Sequence, residues 1–229
     1  MKSLFFIWLS AIVLTGFQDD PFKEKREILV DQTIAKRGVK DKAVLKAMKT
    51  VPRHLFVPEG SISRAYEDRP MGIGYGQTIS QPYIVAYMTE VIQPKAGHKV
   101  LEVGTGSGYQ AAVLAELVKD VYTIEIIPEL GNASAATLKK LDYKNVNVKI
   151  SDGYFGWPEH APFDAIVVTA AAEFVPPPLI EQLKEGGRMI IPIGSPYMNQ
   201  TLMLVEKKGA KITTKSLLPV VFVPFTRKK

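Results

Sequence analysis

The sequence predicts a Rossmann-like α/β fold: a mostly parallel sheet with helices on both faces, antiparallel edge strands at the C-terminus and a helical addition at the N-terminus. Two observations predict it. From about residue 100 onward, short β-branched runs alternate with helical patterns, which indicates parallel strands joined by helical crossovers. A glycine-rich turn also separates the first of these strands from the helix after it, where open α/β sheets bind ligands.

Length and composition fit one globular domain, expected over residues 22–229. The chain has 229 residues, 46% hydrophobic and 23% charged, which excludes a disordered or fibrous protein. Within the domain, 22–98 should hold the N-terminal helices and a long loop, and 99–229 the sheet. Cysteine is absent, so disulfides, thiolate metal sites and a cysteine nucleophile are excluded. The three histidines lie far apart in the sequence, and no metal site is predicted.

The first 21 residues differ in composition from this domain. Lys2 precedes an apolar run at 4–14, which small and then acidic residues follow, as in a secretory signal. The run is too short for a comfortable membrane span. The alternatives are a wrongly assigned start codon and a buried N-terminal helix.

Helices and a long irregular segment are predicted before the sheet. Residues 22–48 suit two short amphipathic helices, separated near Gly38. Pro52 ends this stretch, because the residue before a proline disfavours helical geometry. Residues 51–82 are rich in proline, glycine and aromatics without sustained periodicity, which is typical of a functional loop. A helix over 83–92 follows.

The sheet region is predicted from the alternation that comes next. Strands are expected at 100–103, 121–127, 146–150, 165–169 and 189–193. Helices are expected at 110–118, 128–141 and 179–183, the last of them closed by Gly186 and Gly187. Two final strands, at 201–205 and 217–223, have no helix between them and should form the antiparallel edge.

The glycine-rich turn runs from Leu101 to Tyr109 and reads Leu-Glu-Val-Gly-Thr-Gly-Ser-Gly-Tyr. Glycines let the chain turn tightly and let a ligand approach the backbone, while the helix N-terminus presents amide groups to it. The spacing is G-x-G-x-G. Tyr109 stands where a dinucleotide fold needs its third glycine, which counts against NAD.

Acidic residues accompany this turn. Glu125 follows the first glycine by about 20 positions, at the end of the next strand, where a carboxylate accepts hydrogen bonds from ribose hydroxyls. Asp152 follows the third strand, where it or a neighbouring amide can meet an adenine edge. Glu102 can face the amino-acid end of the ligand. Together these features resemble the class I S-adenosylmethionine-dependent methyltransferases. The predicted cofactor site comprises Glu102, Val103, Gly104, Thr105, Gly106, Ser107, Gly108, Glu125, Ile126, Asp152 and Gly153.

A more specific resemblance extends over residues 22–225. It rests on Val51-Pro52-Arg53, Phe56-Val57-Pro58, Tyr66-Glu67-Asp68, Gly-Gln-Thr-Ile-Ser-Gln-Pro at 76–82, the glycine turn and Phe222-Val223-Pro224. These motifs resemble the protein-L-isoaspartate O-methyltransferase family. The resemblance implies methyl transfer from S-adenosylmethionine to the free carboxylate of L-isoaspartyl residues in damaged proteins and peptides, followed by spontaneous closure to a succinimide. It also implies a cytoplasmic enzyme, and the signal-like segment leaves export to the periplasm as the alternative.

In that family the serine of the Thr-Ile-Ser motif is the active-site residue, which is Ser80 here. Gln77, Thr78 and Ile79 are its predicted neighbours in the acceptor pocket. By spacing alone, Ser80 lies near a helix start and is typical of an N-cap. A carboxylate acceptor is already ionised at neutral pH and needs no strong base, so we expect Ser80 to orient the acceptor and not to act as a covalent nucleophile.

The net charge of +6 indicates a solvated basic surface. Part of it lies in the C-terminal run at 227–229, and no basic run is interleaved with aromatics, so no nucleic-acid partner is predicted. We also expect no stable membrane association and a monomer. Two alternatives stay open: a class I methyltransferase with another acceptor, such as RNA or a small carboxylic acid, and a catalytically silent binding module that keeps the fold.

Overall fold

The computed structural model describes residues 20–195, 198–209 and 211–228, so most of the signal-like segment lies outside the described residues. Strands in this part of the chain are β1 (Met71–Gly74), β2 (Gln77–Ile79), β3 (Lys99–Val103), β4 (Asp120–Glu125), β5 (Val146–Ile150), β6 (Phe163–Val168), β7 (Leu183–Ile193), β8 (Gln200–Lys208) and β9 (Lys211–Val220). The α-helices are α1 (Lys23–Ile28), α2 (Lys42–Thr50), α3 (Pro82–Val91), α4 (Tyr109–Ala115), α5 (Pro128–Lys140) and α6 (Pro177–Gln182).

The central sheet has seven strands in the order β5-β4-β3-β6-β7-β8-β9. Strands β3 to β7 pair in parallel, whereas β8 pairs antiparallel to both β7 and β9. The predicted fold class, including its antiparallel C-terminal edge, is therefore confirmed. The strand order reverses direction between β3 and β6, and ligands of open α/β sheets bind in the crevice at such a point.

Alternate residues of the central strands face two separate layers of the core. Val100, Ala165 and Val167 pack in one cluster with side chains of α2, α3 and α4. Leu101 and Ile166, which neighbour them in the chain, pack on the opposite face with side chains that include those of α6. The strands are buried on both faces, which explains why they read as continuous apolar runs in the sequence.

The end of α6 differs from the prediction. The helix ends at Gln182, and β7 begins at once with Leu183. Gly186 and Gly187 were expected to close a helix, which is wrong: they lie inside β7, where its register with β6 shifts between Phe163 and Ala165. Gly186 has φ +74°, which suits a glycine at an irregularity of a strand as well as one after a helix.

The last strand was also predicted too late. It spans Lys211–Val220, and residues 221–228 leave the sheet, so the predicted strand at 217–223 is only partly correct. Two prolines, Pro219 and Pro224, lie in or next to this region and lack the amide group that a ladder needs.

The long segment at 51–82 is irregular only in part. It contains two 3₁₀ turns, Arg53–Phe56 and Glu59–Arg64, and the hairpin of β1 and β2. Three successive residues with positive φ form the hairpin turn, Gly74, Tyr75 and Gly76. Strands of three and four residues are too short to show a two-residue period, which is why the sequence did not reveal them.

In the described ranges, none of the helices is long and apolar enough to cross a lipid bilayer.

Candidate active site

The glycine turn leaves β3 at the point where the strand order reverses. Gly104, Gly106 and Gly108 have φ values of +101°, +51° and +87°, which favour glycine. A Cβ on Gly104 would collide with Oγ1 of Thr169. This hydroxyl donates to the carbonyl of Gly104 at 2.7 Å and lies 3.1 Å from the carbonyl oxygen of Val103, which ties the turn to the end of β6.

Glu125 fixes the turn from the end of β4. Its carboxylate accepts hydrogen bonds from the amides of Gly106 at 2.8 Å, Ile126 at 2.9 Å and Ile127 at 3.0 Å. The side chain is buried. A carboxylate has about four acceptor positions, so these three donors leave capacity for one donor from a ligand.

Glu102 lies on β3 beneath the turn and has no exposed surface. Its Oε2 accepts a hydrogen bond from Thr123, whose hydroxyl also contacts that of Thr105 at 2.6 Å. Burial raises the pKa of Glu102 to about 8, against the effect of the Thr123 hydrogen bond, and Glu125 raises it further. Oε1 of Glu102 has no hydrogen-bond partner among the described residues. A buried polar atom without a partner is costly, so this oxygen suits a donor on a bound ligand.

Asp152 contacts residues near the C-terminus. Its carboxylate accepts from the amide of Tyr154 at 3.0 Å, from Nε of Arg227 at 2.9 Å and from the amide of Lys228 at 3.3 Å. Gly153, the next residue, has no room for a side chain, because a Cβ there would collide with Cγ1 of Val103.

Three cavities that share lining residues lie at the glycine turn and beside it. The loop cavity lies between the turn, the end of β4, Gly153 and residues 223–226. The outer groove, about 490 Å³ in volume, lies between residues 78–84 and the end of β9. The inner pocket lies between them, above Glu102. Thr78 and Thr169 line all three, and Ser80 lines the outer groove and the inner pocket. A ligand that occupies the loop cavity and the inner pocket can therefore meet one in the outer groove at these three residues.

The structure brings most of the predicted residues to these cavities. Those lining the loop cavity or the inner pocket are Gln77, Thr78, Ile79, Ser80, Glu102, Val103, Gly104, Thr105, Gly106, Ser107, Glu125, Ile126 and Gly153. Gly108 and Asp152 line none of the three. Gly108 lies where a Cβ would press on Leu138 and Ser134 of α5, so its role is to let α4 and α5 pack closely.

Ser80 does not cap the helix that follows it. Helix α3 begins at Pro82, Gln81 is its N-cap residue, and no side chain caps it. The N-cap hypothesis is therefore wrong. The Ser80 side chain is half-buried, and its hydroxyl makes no hydrogen bond to the described part of the chain, which leaves it available to a ligand.

Some lining residues were not predicted as part of the site. Thr169, Ala170, Ile127 and residues 223–226 line the loop cavity, and Arg37 and residues 218–222 line the outer groove. Thr169 directly follows a buried strand and could have been found from that position. Arg37 carries no such signal, because it lies far along the chain from the turn.

These residues fit S-adenosylmethionine. Glu125 can accept from one ribose hydroxyl, and the unpartnered oxygen of Glu102 can accept from an ammonium group. At Gly104 and Gly106 the backbone is open to close approach by a ligand.

A known protein family matches most of the chain. The family model of protein-L-isoaspartate(D-aspartate) O-methyltransferase (PCMT) matches residues 24–229. A protein-L-isoaspartate O-methyltransferase of Opitutus terrae is 58% identical over 205 residues, which covers 90% of this chain and 88% of the relative.

Solved structures of the same family are also similar. One protein-L-isoaspartate O-methyltransferase superimposes with a TM-score of 0.80 at 32% identity, over 87% of this chain and 65% of that longer chain. A PCMT structure from Plasmodium falciparum, in complex with S-adenosyl-L-homocysteine, has a TM-score of 0.75 at 28% identity, over 89% of this chain and 99% of that one. The chain belongs to the protein-L-isoaspartate O-methyltransferase family.

Proposed function

We propose that this chain transfers a methyl group from S-adenosylmethionine to the free carboxylate of L-isoaspartyl residues in damaged proteins and peptides. The observation that carries the proposal is the junction at Thr78, Thr169 and Ser80, where the loop cavity and the inner pocket together meet the outer groove. It gives cofactor and acceptor separate sites with one meeting point. Family membership supports the choice of acceptor.

The cofactor site is proposed in the loop cavity and the inner pocket. S-adenosylmethionine supplies an electrophilic methyl group on a sulfonium. Glu125 would accept from one of its ribose hydroxyls, and Glu102 would accept from its amino-acid end. Glycines and backbone groups of Val103, Thr105, Ser107 and Ile126 would line the remainder, with Gly153 beside the adenine. We propose only an indirect role for Asp152, which is to hold Arg227.

The acceptor site is proposed around Ser80 and Thr78. An isoaspartyl carboxylate is ionised near neutral pH and can attack the methyl carbon without a general base. What it needs is alignment of oxygen, methyl carbon and sulfur, which is an orientation effect. The Ser80 hydroxyl would donate a hydrogen bond to the carboxylate and hold it in line. Gln77 would border the site, and Ile79, which is buried in the core, would fix the backbone between them.

The setting of the reaction is part of the proposal. Cofactor supply favours a cytoplasmic enzyme, and export remains the alternative if the signal-like segment acts as one. We propose a single methyltransferase domain over 22–229 that acts as a monomer, without nucleic-acid or stable membrane partners.

Paired peptides test the proposed reaction. Purified protein should transfer labelled methyl to a peptide with one L-isoaspartyl residue and leave its L-aspartyl twin unlabelled. In the twin the peptide bond is formed by the α-carboxyl group of the aspartate, and in the isoaspartyl peptide by its side-chain carboxyl group. The two peptides have the same sequence and charge, so the twin controls for both. Equal labelling of both peptides, or labelling of neither, would contradict the proposal.

A further inference from the structure

The outer groove carries one charged side chain. Thirteen described residues line it, and of these only Arg37 bears a formal charge; the others are apolar or neutral and polar. No carboxylate of the described residues lines the groove. A substrate segment in this groove therefore meets a single cation, and the groove is suited electrostatically to an acidic ligand.

Arg37 is held in a defined position although its side chain is 45% exposed. Nη1 donates to Oδ2 of Asp68 at 2.6 Å, and the guanidinium carbon lies 3.6 Å from the ring centroid of Tyr83. Asp68 is itself fixed, because it also accepts from Nε2 of Gln81 at 2.9 Å and from the amide of Tyr83 at 2.8 Å. The guanidinium thus loses little freedom when it binds a further group.

Most of the hydrogen-bonding capacity of Arg37 is unused. A guanidinium has five N–H donors, and one of them binds Asp68. Within the described residues, the Arg37 guanidinium makes no other hydrogen bond to a side chain or backbone group. Asp68 offsets part of the charge, but its carboxylate is shared among three donors. The remaining donors of Arg37 can bind a carboxylate in the planar, bidentate manner typical of arginine.

The position of Arg37 separates it from the methyl-transfer step. Arg37 lines the outer groove but neither the inner pocket nor the loop cavity. The reacting carboxylate must lie at the junction with Ser80, Thr78 and Thr169. Pairing that carboxylate with a guanidinium would also reduce its nucleophilicity. Arg37 is therefore placed to bind a part of the substrate outside the reacting residue.

We propose that Arg37 is a specificity-determining residue that favours acceptors with a second carboxylate next to the isoaspartyl residue. This inference rests on the proposed function. Two sources supply the same chemistry: the side chain of a flanking Asp or Glu, and the free C-terminal carboxylate of a chain that ends just after the damaged residue.

Three isoaspartyl peptides test the inference. The first has Glu on both sides of the isoaspartyl residue and an amidated C-terminus, and the second has Gln in place of each Glu. The third keeps Gln but ends one residue after the isoaspartyl residue with a free carboxylate. The parent protein should have a kcat/KM about three- to tenfold higher for the first or third peptide than for the second, mostly through a lower KM. Whichever peptide is favoured identifies the source of the carboxylate.

Variants assign the preference to Arg37. Arg37→Gln should reduce the ratio of kcat/KM between the favoured peptide and the second peptide to about one. Arg37→Lys keeps the positive charge but lacks the planar guanidinium that binds a carboxylate with two hydrogen bonds. This variant should retain part of the preference for the favoured peptide. Arg69→Gln is the matched control: Arg69 is 51% exposed, pairs with Glu67 and does not line the groove, so this variant should keep the full preference.

Two results would overturn the inference. One is a parent protein with nearly equal kcat/KM for all three peptides, and the other is a preference for the first or third peptide that survives in Arg37→Gln. If Arg37→Gln does not fold, the parent and Arg37→Lys are compared at low and high salt. An equal preference in both proteins that does not change with salt would contradict the inference. Methylation of all three peptides without preference leaves the proposed function intact. Failure to methylate any of them contradicts the proposed function and this inference with it.

Discussion

Glu125 and Ser80 lie in different cavities, so their substitutions should affect different steps. Glu125 lines the loop cavity and accepts three backbone hydrogen bonds. Ser80 lines the outer groove and the inner pocket, with a hydroxyl that binds nothing in the described part of the chain. Loss of the Glu125 carboxylate removes hydrogen-bond acceptors that serve both the turn and the cofactor. Loss of the Ser80 hydroxyl removes a hydrogen-bond donor that only the substrate carboxylate would use.

Ser80→Ala should lower kcat about tenfold or more and change the affinity for S-adenosylhomocysteine less than twofold. Glu125→Ala should weaken that affinity by about 10- to 100-fold, because it removes hydrogen bonds to a charged group. Isothermal titration calorimetry and steady-state kinetics measure the two effects. The controls are Ser63→Ala and Glu129→Gln, at exposed positions outside the cavities. A Ser80→Ala variant with parental turnover would show that the hydroxyl does not orient the acceptor.

The sequence predicted these two residues for different reasons. Glu125 was predicted from its distance along the chain. In this fold, the second strand of the strand-helix-strand unit ends beside the turn, and Glu125 stands at that end. Ser80 followed from a resemblance between motifs, and local spacing favoured a capping role that the structure contradicts. Local spacing failed because it could not locate the helix start to within two residues.

At the level of elements, residues 221–228 form a C-terminal strap across the carboxyl ends of the parallel strands. Its backbone binds that of Ala171 twice, through the Val223 carbonyl and the Phe225 amide, each at 2.8 Å. Farther along, the Arg227 guanidinium lies 3.7 Å from the Tyr154 ring centroid and pairs with Asp152. The strap thereby closes one side of the loop cavity.

Truncation after Pro224 should open this cavity, because Phe225 and Thr226 belong to its wall. We expect the affinity for S-adenosylhomocysteine to fall about tenfold, through loss of buried apolar contact and of the Arg227 pair. Removal of residues 228 and 229 alone leaves the wall in place and is the control. The measurement is calorimetric titration of both truncated proteins at equal concentration. Equal affinity in the two would mean that the strap contributes nothing to cofactor binding.

At the scale of the whole molecule, the buried Glu102 links folding to pH. The pKa of its carboxyl is about 8 in the folded protein, raised by burial from an ordinary 4.5. Between these two values the folded protein retains a proton that the unfolded chain releases. Raising the pH within this window therefore favours the unfolded chain.

Glu102→Gln should remove this pH dependence. Relative to the variant, the parent should lose up to about 1.4 kcal/mol of unfolding free energy per pH unit between about pH 5 and 8. Above that range the difference should stay constant, since both states of the parent are then ionised. Urea unfolding of the cofactor-free proteins from pH 5 to 9 measures it, with Glu59→Gln as an exposed control. A difference between parent and variant that stays constant over the whole range would contradict the expected role of burial.

The sequence by itself determined the fold class, the glycine turn and the carboxylates beside it. These features depend on residues close together in the chain: apolar periods of strands and helices, glycines at a turn, and an acidic residue one unit later. Tertiary structure alone decided which distant residues share a cavity. Thr169 forms a hydrogen bond with Gly104 of the turn, although the two residues are 65 positions apart in the chain. Arg227 binds Asp152, which is 75 positions away. Such contacts leave no local pattern, because they arise only when the sheet and its flanking segments pack together.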